Sequence, residues 1–182
     1  SRGTMVRRIS SNPTEDRAPG RGAVRVPRRS PAGGIGEAPR TGSRLGKYLV
    51  GPLIGKGGTG TVYEAEDTFL KRRVAIKVLS ESSAGNPESV RRFVLEARAF
   101  ARVDHPNAVL IFEVGRHEGA CYLVMELMRG GSVQNLLDAG GALDWPQATR
   151  AVLDACRGLV ATHEAGLIHR DIKPGNLMRS AS

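Results

Sequence analysis

Three strings in this chain place reactive or phosphate-compatible residues at fixed spacings. Gly55-Lys56-Gly57-Gly58-Thr59-Gly60-Thr61-Val62 fits G-x-G-x-x-G-x-V. Glycine clusters also mark ordinary hairpin turns, yet a glycine hairpin can lie over phosphates, because backbones without Cβ atoms bring their N–H groups close to the oxygens. Strand-like segments flank the string on both sides, which disfavours the dinucleotide-binding arrangement of strand into helix. No G-x-x-x-x-G-K-[ST] occurs either. The second string, Val74-Ala75-Ile76-Lys77, begins 14 residues after Gly60. Period 2 puts Ala75, Lys77 and Leu79 on one strand face and Val74, Ile76 and Val78 on the other. A surface lysine is the plain alternative, but apolar residues on both faces mark a buried strand, and a buried ammonium needs an anion. Glu96 is a candidate partner: three residues after Phe93 and four before Phe100, it lies at the edge of an inward helical stripe. The third string, His169-Arg170-Asp171-Ile172-Lys173-Pro174-Gly175-Asn176, matches H-R-D-x-x-x-x-N in a loop after a long helix. All three in this order are a remote coincidence.

Positioning them requires strands first and helices later. Tyr48–Ile54, Thr61–Ala65, Arg73–Leu79, Val109–Val114 and Cys121–Leu127 read as strands. Asn86-Pro87-Glu88 opens a helix with an N-cap, a proline at the first position and an acid in the first turn, and Phe93, Ala97 and Phe100 form its apolar face. Ser132–Ala139 reads as a short helix. Asp144-Trp145-Pro146-Gln147 resembles a capping box opening a long helix to about Glu164, closed by Gly166. On that helix Cys156 is expected in the core with Ala148, Val152, Ala155 and Leu159, and Trp145 as an anchor at its start. His105-Pro106-Asn107 reads as a turn, and His163 as the last helical turn. The fold class is α+β, in two lobes.

Composition narrows the classes. The chain has 182 residues and a net charge of +9. Residues 1–46 hold ten Arg, no Lys and three acids, a balance of +7, whereas residues 47–182 carry only +2. Basicity therefore belongs to a tail of Arg, Pro, Gly and Ser, too poor in apolar residues to offset the entropy of ordering, and expected to be disordered. Arg7-Arg8-Ile9-Ser10 fits a basic-directed phosphorylation site. No aromatics are interleaved to stack on bases, so a specific nucleic-acid partner is not expected. Cys121 and Cys156 make neither a disulfide framework nor a metal half-site, and reduced thiols in a cytosol are expected. No apolar run reaches the roughly 18 residues of a bilayer span. The first residue, Ser1, implies a start upstream.

On these strings, residues 47–178 resemble the first half of a eukaryotic-like serine/threonine protein kinase domain, of bacterial wording. The resemblance implies a five-stranded antiparallel N-lobe sheet with one helix, over about 47–128, and the start of a helical C-lobe, over about 129–182. It implies that Gly55, Lys56, Gly57, Gly58, Thr59 and Gly60 cover ATP, and that Lys77 holds the α- and β-phosphates while paired to Glu96. Val62 and Ala75 would roof the adenine and Met178 floor it. Met125 falls at the gatekeeper position, with Glu126 and Met128 offering backbone groups to the adenine edge. Asp171 would accept the proton of the substrate hydroxyl, Asn176 would bind Mg2+, and Lys173 would contact the γ-phosphate, as in serine/threonine rather than tyrosine kinases. Arg170 would pair with a phosphorylated activation loop. The partners implied are proteins with Ser/Thr hydroxyls. The location implied is cytoplasmic, with any membrane anchor in a C-terminal continuation.

Six residues follow Asn176, whereas the family's D-F-G begins about a dozen past it. The expectation is a fragment that is inactive by itself, lacking the second magnesium ligand and the peptide platform, with an apolar stripe on the long helix that favours aggregation. Two other functions compete: a non-catalytic, pseudokinase-like module binding nucleotide or a partner, and a basic tail binding nucleic acid or anionic lipid. Intact Lys77, Asp171 and Asn176 argue against the former.

Overall fold

The computed structural model describes residues 7–9 and 39–180. In chain order the elements are β1 (Arg7–Ile9), β2 (Arg44–Leu45), β3 (Tyr48–Gly57), β4 (Gly60–Asp67), β5 (Arg72–Leu79), α1 (Glu81–Ala84), α2 (Pro87–Phe100), β6 (Ile111–His117), β7 (Ala120–Met125), α3 (Val133–Gly140), α4 (Trp145–Glu164), a short 3-10 helix (Pro174–Asn176) and β8 (Leu177–Arg179). They belong to two compact units. One contains residues 39–101 and Ile111–Leu127; the other contains β1, Arg102–Leu110 and residues 128–180.

The first unit is an antiparallel sheet ordered β2-β3-β4-β5-β7-β6. The five expected strands are all present, longer or shifted by a few residues, and β2 adds a sixth. Alternation explains its core. Val74, Ile76 and Val78 of β5 point to one face with Val50, Tyr63, Ala65, Tyr122 and Val124, and Val74, Ile76 and Val124 are fully buried. Each such side chain contributes about 1.5–3 kcal/mol of burial. On the other face α2 packs Phe93, Val94 and Ala97 against Ile111, Val114 and Leu123. The helix starts as its sequence dictates: the Asn86 side chain accepts from the amides of Glu88 and Ser89, and Pro87 needs no partner for a missing N–H.

Where the stretch 1–46 is described it is paired rather than disordered, and the remainder lies outside the described residues. Gly42 N–H donates to Val50 O and Val50 N–H to Ser43 O, so main-chain bonds supply what the apolar content does not. Leu45 is buried and pairs with Tyr48. Arg7–Ile9 runs parallel to β8.

One end of the sheet is the row Leu45, Tyr48, Asp67, Arg72. Asp67 is buried, and Lys47 Nζ lies 3.3 Å from both Asp67 Oδ2 and Glu113 Oε2. Tyr48 and Tyr122 donate their hydroxyls to Glu113, at 2.7 and 3.3 Å. Burial and that carboxylate push both phenols well above the ordinary tyrosine range. Burial also pushes Asp67 up, but the amides of Leu70 and Phe69 and the Lys47 ammonium outweigh it and hold the carboxyl below its usual value.

In the second unit Ser132 caps α3 through a reciprocal box with Asn135, and Asp144 caps α4 by accepting from Gln147 N–H. Gly166 follows α4 at a left-handed φ of 74°. The buried face of α4 differs from the expected one. It comprises Ala151, Asp154, Ala155, Gly158 and Thr162, whereas Cys156 is exposed and Val152 is 61% exposed. The apolar stripe is real but turned outward, because the small residues allow the closer approach. Trp145, at the first position of α4, is 77% exposed, so it is not a buried anchor. Among the described residues no helix is long and apolar enough to cross a membrane.

Candidate functional site

The residues singled out by the three strings divide between the units. In the first, the glycine string forms a hairpin: Gly55 opposes Val62, Lys56 opposes Thr61 and Gly57 opposes Gly60, with Gly58 and Thr59 at the turn. Gly60 tolerates no side chain, since a Cβ there would collide with the Val78 carbonyl of the neighbouring strand. Directly opposed residues share a sheet face, so Gly55, Val62, Lys77 and Leu123 form one row across β3, β4, β5 and β7. Ala75 pairs with Met125 two residues along, on the same face. Lys77 is 6% exposed. A buried ammonium beside small apolar groups and a bare glycine backbone is suited to an anionic ligand with a flat apolar part.

Lys56 opposes Thr61, which opposes Val78, and so its side chain belongs to the sheet face away from Lys77; only its backbone is left for a phosphate. Glu96 is half-buried on α2. α2 turns Phe93, Val94 and Ala97 onto the sheet, which leaves Glu96 at the margin of that contact. Glu126 is half-buried just past β7. Leu123 was not anticipated, although alternation with Met125 could have revealed it; it ties the Lys77 row to α2.

The second unit holds the loop residues. His169 is buried, and its Nδ1 accepts from the Asp171 amide at 3.4 Å. Arg170, between them, takes a left-handed φ of 62°. Asn176 is buried and donates Nδ2 to Asp171 O at 2.8 Å and to Asp171 Oδ2 at 3.1 Å. Lys173 Nζ lies 3.1 Å from Asp171 Oδ2. That hydrogen-bonded ammonium lowers the Asp171 carboxyl below the usual range; the Asn176 amide and His169 add to the effect, against the opposing pull of desolvation. Asp171 is therefore an ionised acceptor held at its backbone and its side chain. Because Asn176 uses its nitrogen for this, its carboxamide oxygen is the atom suited to a cation. Among the described residues no cluster of three or more His, Cys, Asp or Glu offers a metal site. Met178 is bridged to Ser132, and Met128 is buried.

These features coincide with a known family: residues 48–182 match the Protein kinase domain. The chain belongs to the protein kinase family. Its relatives include the serine/threonine-protein kinase PknL of Mycobacterium tuberculosis, 44% identical over 135 residues, covering 74% of this chain and 34% of PknL. PknE of Mycobacterium bovis is 39% identical over 142 residues, covering 78% of this chain and 25% of PknE. Among solved structures, the PknI kinase domain of Mycobacterium tuberculosis superposes with a TM-score of 0.67 at 27% identity, covering 79% of this chain and 62% of that one. The fold is thus the kinase N-lobe and the start of the C-lobe. The chain spans about a quarter to a third of the length of these curated relatives.

Proposed function

We infer that this chain carries the nucleotide-binding half and the catalytic loop of a protein kinase that transfers the γ-phosphoryl group of ATP to serine or threonine hydroxyls of proteins. The observation that carries the reading is the Asp171 loop, in which Lys173 and Asn176 keep one carboxylate ionised and oriented. The hydroxyl specificity rests on Lys173 and on the names of the relatives. Gly55–Gly60 would cover the phosphates, Lys77 would neutralise the α- and β-phosphates, and Val62, Ala75, Met125 and Met178 would surround the base. Bound Mg2+ neutralises phosphate charge and is suited to the Asn176 carboxamide oxygen. Asp171 would orient the hydroxyl and take its proton. Lys173, now on Asp171, would turn to the γ-phosphate. Such chemistry demands positioning and charge stabilisation rather than a covalent intermediate.

Isothermal titration of the 182-residue protein with ATP tests the nucleotide half. Mg2+-dependent binding that Lys77→Ala weakens by about tenfold or more is expected, and binding indifferent to Lys77→Ala would sink the reading. In the protein that carries this chain, Asp171→Asn should abolish transfer to a protein substrate while sparing ATP affinity.

A further inference from the structure

We propose that Arg179 is a positioning residue for nucleotide binding, whose guanidinium locks the peptide between Gly130 and Gly131 and through it keeps Met178 in place. The inference rests on the proposed function, in which Met178 floors the adenine.

β8 is held along both edges. One edge pairs with β1; the other meets the turn that leads into α3. There Met178 bridges Ser132, Gly130 N–H donates to Arg179 O at 3.0 Å, and Arg179 N–H donates to Gly131 O at 2.9 Å. Two successive glycines thus carry the turn, and the peptide plane between them rotates more freely than one flanked by residues with side chains. Both glycines are required: a Cβ at Gly130 would collide with the backbone of Arg179 and Ser180, and Gly131 takes a left-handed φ of 71°. The close approach therefore brings a loose peptide with it. Arg179 supplies the restraint, since its Nη1 donates to Gly130 O at 3.3 Å. Among the described residues that carbonyl accepts from no other group.

Arg179 acts through its neighbours. Leu177 is buried with Val133, Ala151 and Ala155, and alternation along β8 puts Arg179 on the Leu177 side of the strand and Met178 on the opposite one. The guanidinium consequently lies off the face that Met178 offers to a base. Rotation of the Gly130–Gly131 peptide would shift Gly131, whose carbonyl holds the Arg179 amide, and the adjoining pair of Ser132 and Met178 would slip with it. The reacting end is insulated from such a slip. Asp171 is held by Lys173 Nζ at 3.1 Å and by Asn176 Nδ2 at 2.8 and 3.1 Å, all within its own loop. Loss of the guanidinium should therefore be felt by the base and not by the phosphate chain.

Isothermal titration of the 182-residue protein and of its Arg179→Met and Arg179→Lys variants, with ATP and with inorganic tripolyphosphate in Mg2+, tests this. Methionine keeps an unbranched apolar stem without the donor, and lysine restores a donor. Expected for Arg179→Met are a loss of about threefold or more in ATP affinity and unchanged tripolyphosphate affinity. Hydrogen exchange should quicken at the amides of positions 130 and 179, while the Asn176 amide, bonded to Lys173 O, keeps its protection. Arg179→Lys should recover most of the ATP affinity. Unchanged ATP affinity in Arg179→Met would overturn the proposal, as would a parallel loss of both ligands or faster exchange throughout the unit, either of which makes Arg179 a support of the whole fold. Failure of the unaltered protein to bind ATP would instead bring down the proposed function, and this inference with it.

Discussion

In the sheet unit the central strands bury their β-branched side chains completely, whereas on α4 the small residues are buried and the larger apolar ones exposed. Val74, Ile76 and Val124 are fully buried, yet α4 buries Ala151, Ala155 and Gly158 and exposes Val152, Leu153 and Val160. The inward face of α4 even holds an ion, Asp154, bound by Arg150 at 3.2 Å and Arg157 at 3.0 Å. A buried ion supported from its own helix contributes little net stability. The sheet therefore closes its own core, while α4 is held by close approach of small residues and keeps its larger apolar surface for something else to cover.

The largest effect that could break this contrast is a paired truncation. Ile76→Ala should cost about 2–5 kcal/mol in urea denaturation, and Val160→Ala no more than about 0.5 kcal/mol. Comparable costs would show that α4 shares in a common core. Next, Gly60→Ala should destabilise the sheet unit by at least about 1 kcal/mol and reduce ATP affinity, because the new methyl meets the Val78 carbonyl; an unchanged melt would mean that the hairpin shifts freely. The smallest effect is that of acid. Asp67 and Asp171 both titrate below the ordinary carboxylate value in the folded protein. Each therefore stabilises the fold fully above about pH 3.9, the unfolded value, and that contribution is lost as pH falls toward the lowered folded value. A melting temperature falling from pH 5 to 3, less steeply in Asp67→Asn, is expected; an identical slope in the variant would remove Asp67 from the account.

Much of the sheet and of the site was legible in the sequence because both rest on local rules. Alternation placed Lys77 opposite the Val74–Ile76–Val78 face, and Asn86-Pro87 opened α2 where capping chemistry requires it. What escaped depends on partners distant in sequence. β2 has only two residues and no pattern of its own; β3 gives it a place. The stripe on α4 was visible, but period 3.6 reports that a stripe exists, not which neighbour it meets. Cys156 was assigned to the core for that reason and lies outside it. Lys56 could not be assigned a face until the hairpin register was fixed.

Gly130 N–H donates to Arg179 O at 3.0 Å, Arg179 N–H donates to Gly131 O at 2.9 Å, and the Arg179 guanidinium reaches Gly130 O across 49 residues of sequence. A Cβ at Gly130 would strike the backbone of Arg179 and Ser180, so the closure accepts only glycine. Bringing together the ends of a loop that long costs about 3 kcal/mol of chain entropy. α3 and α4 lie inside it and can form first, shortening the effective loop. The strand after the Asp171 loop is thus fixed by partners far back in the sequence, and during synthesis Asp171 leaves the ribosome before that strand does.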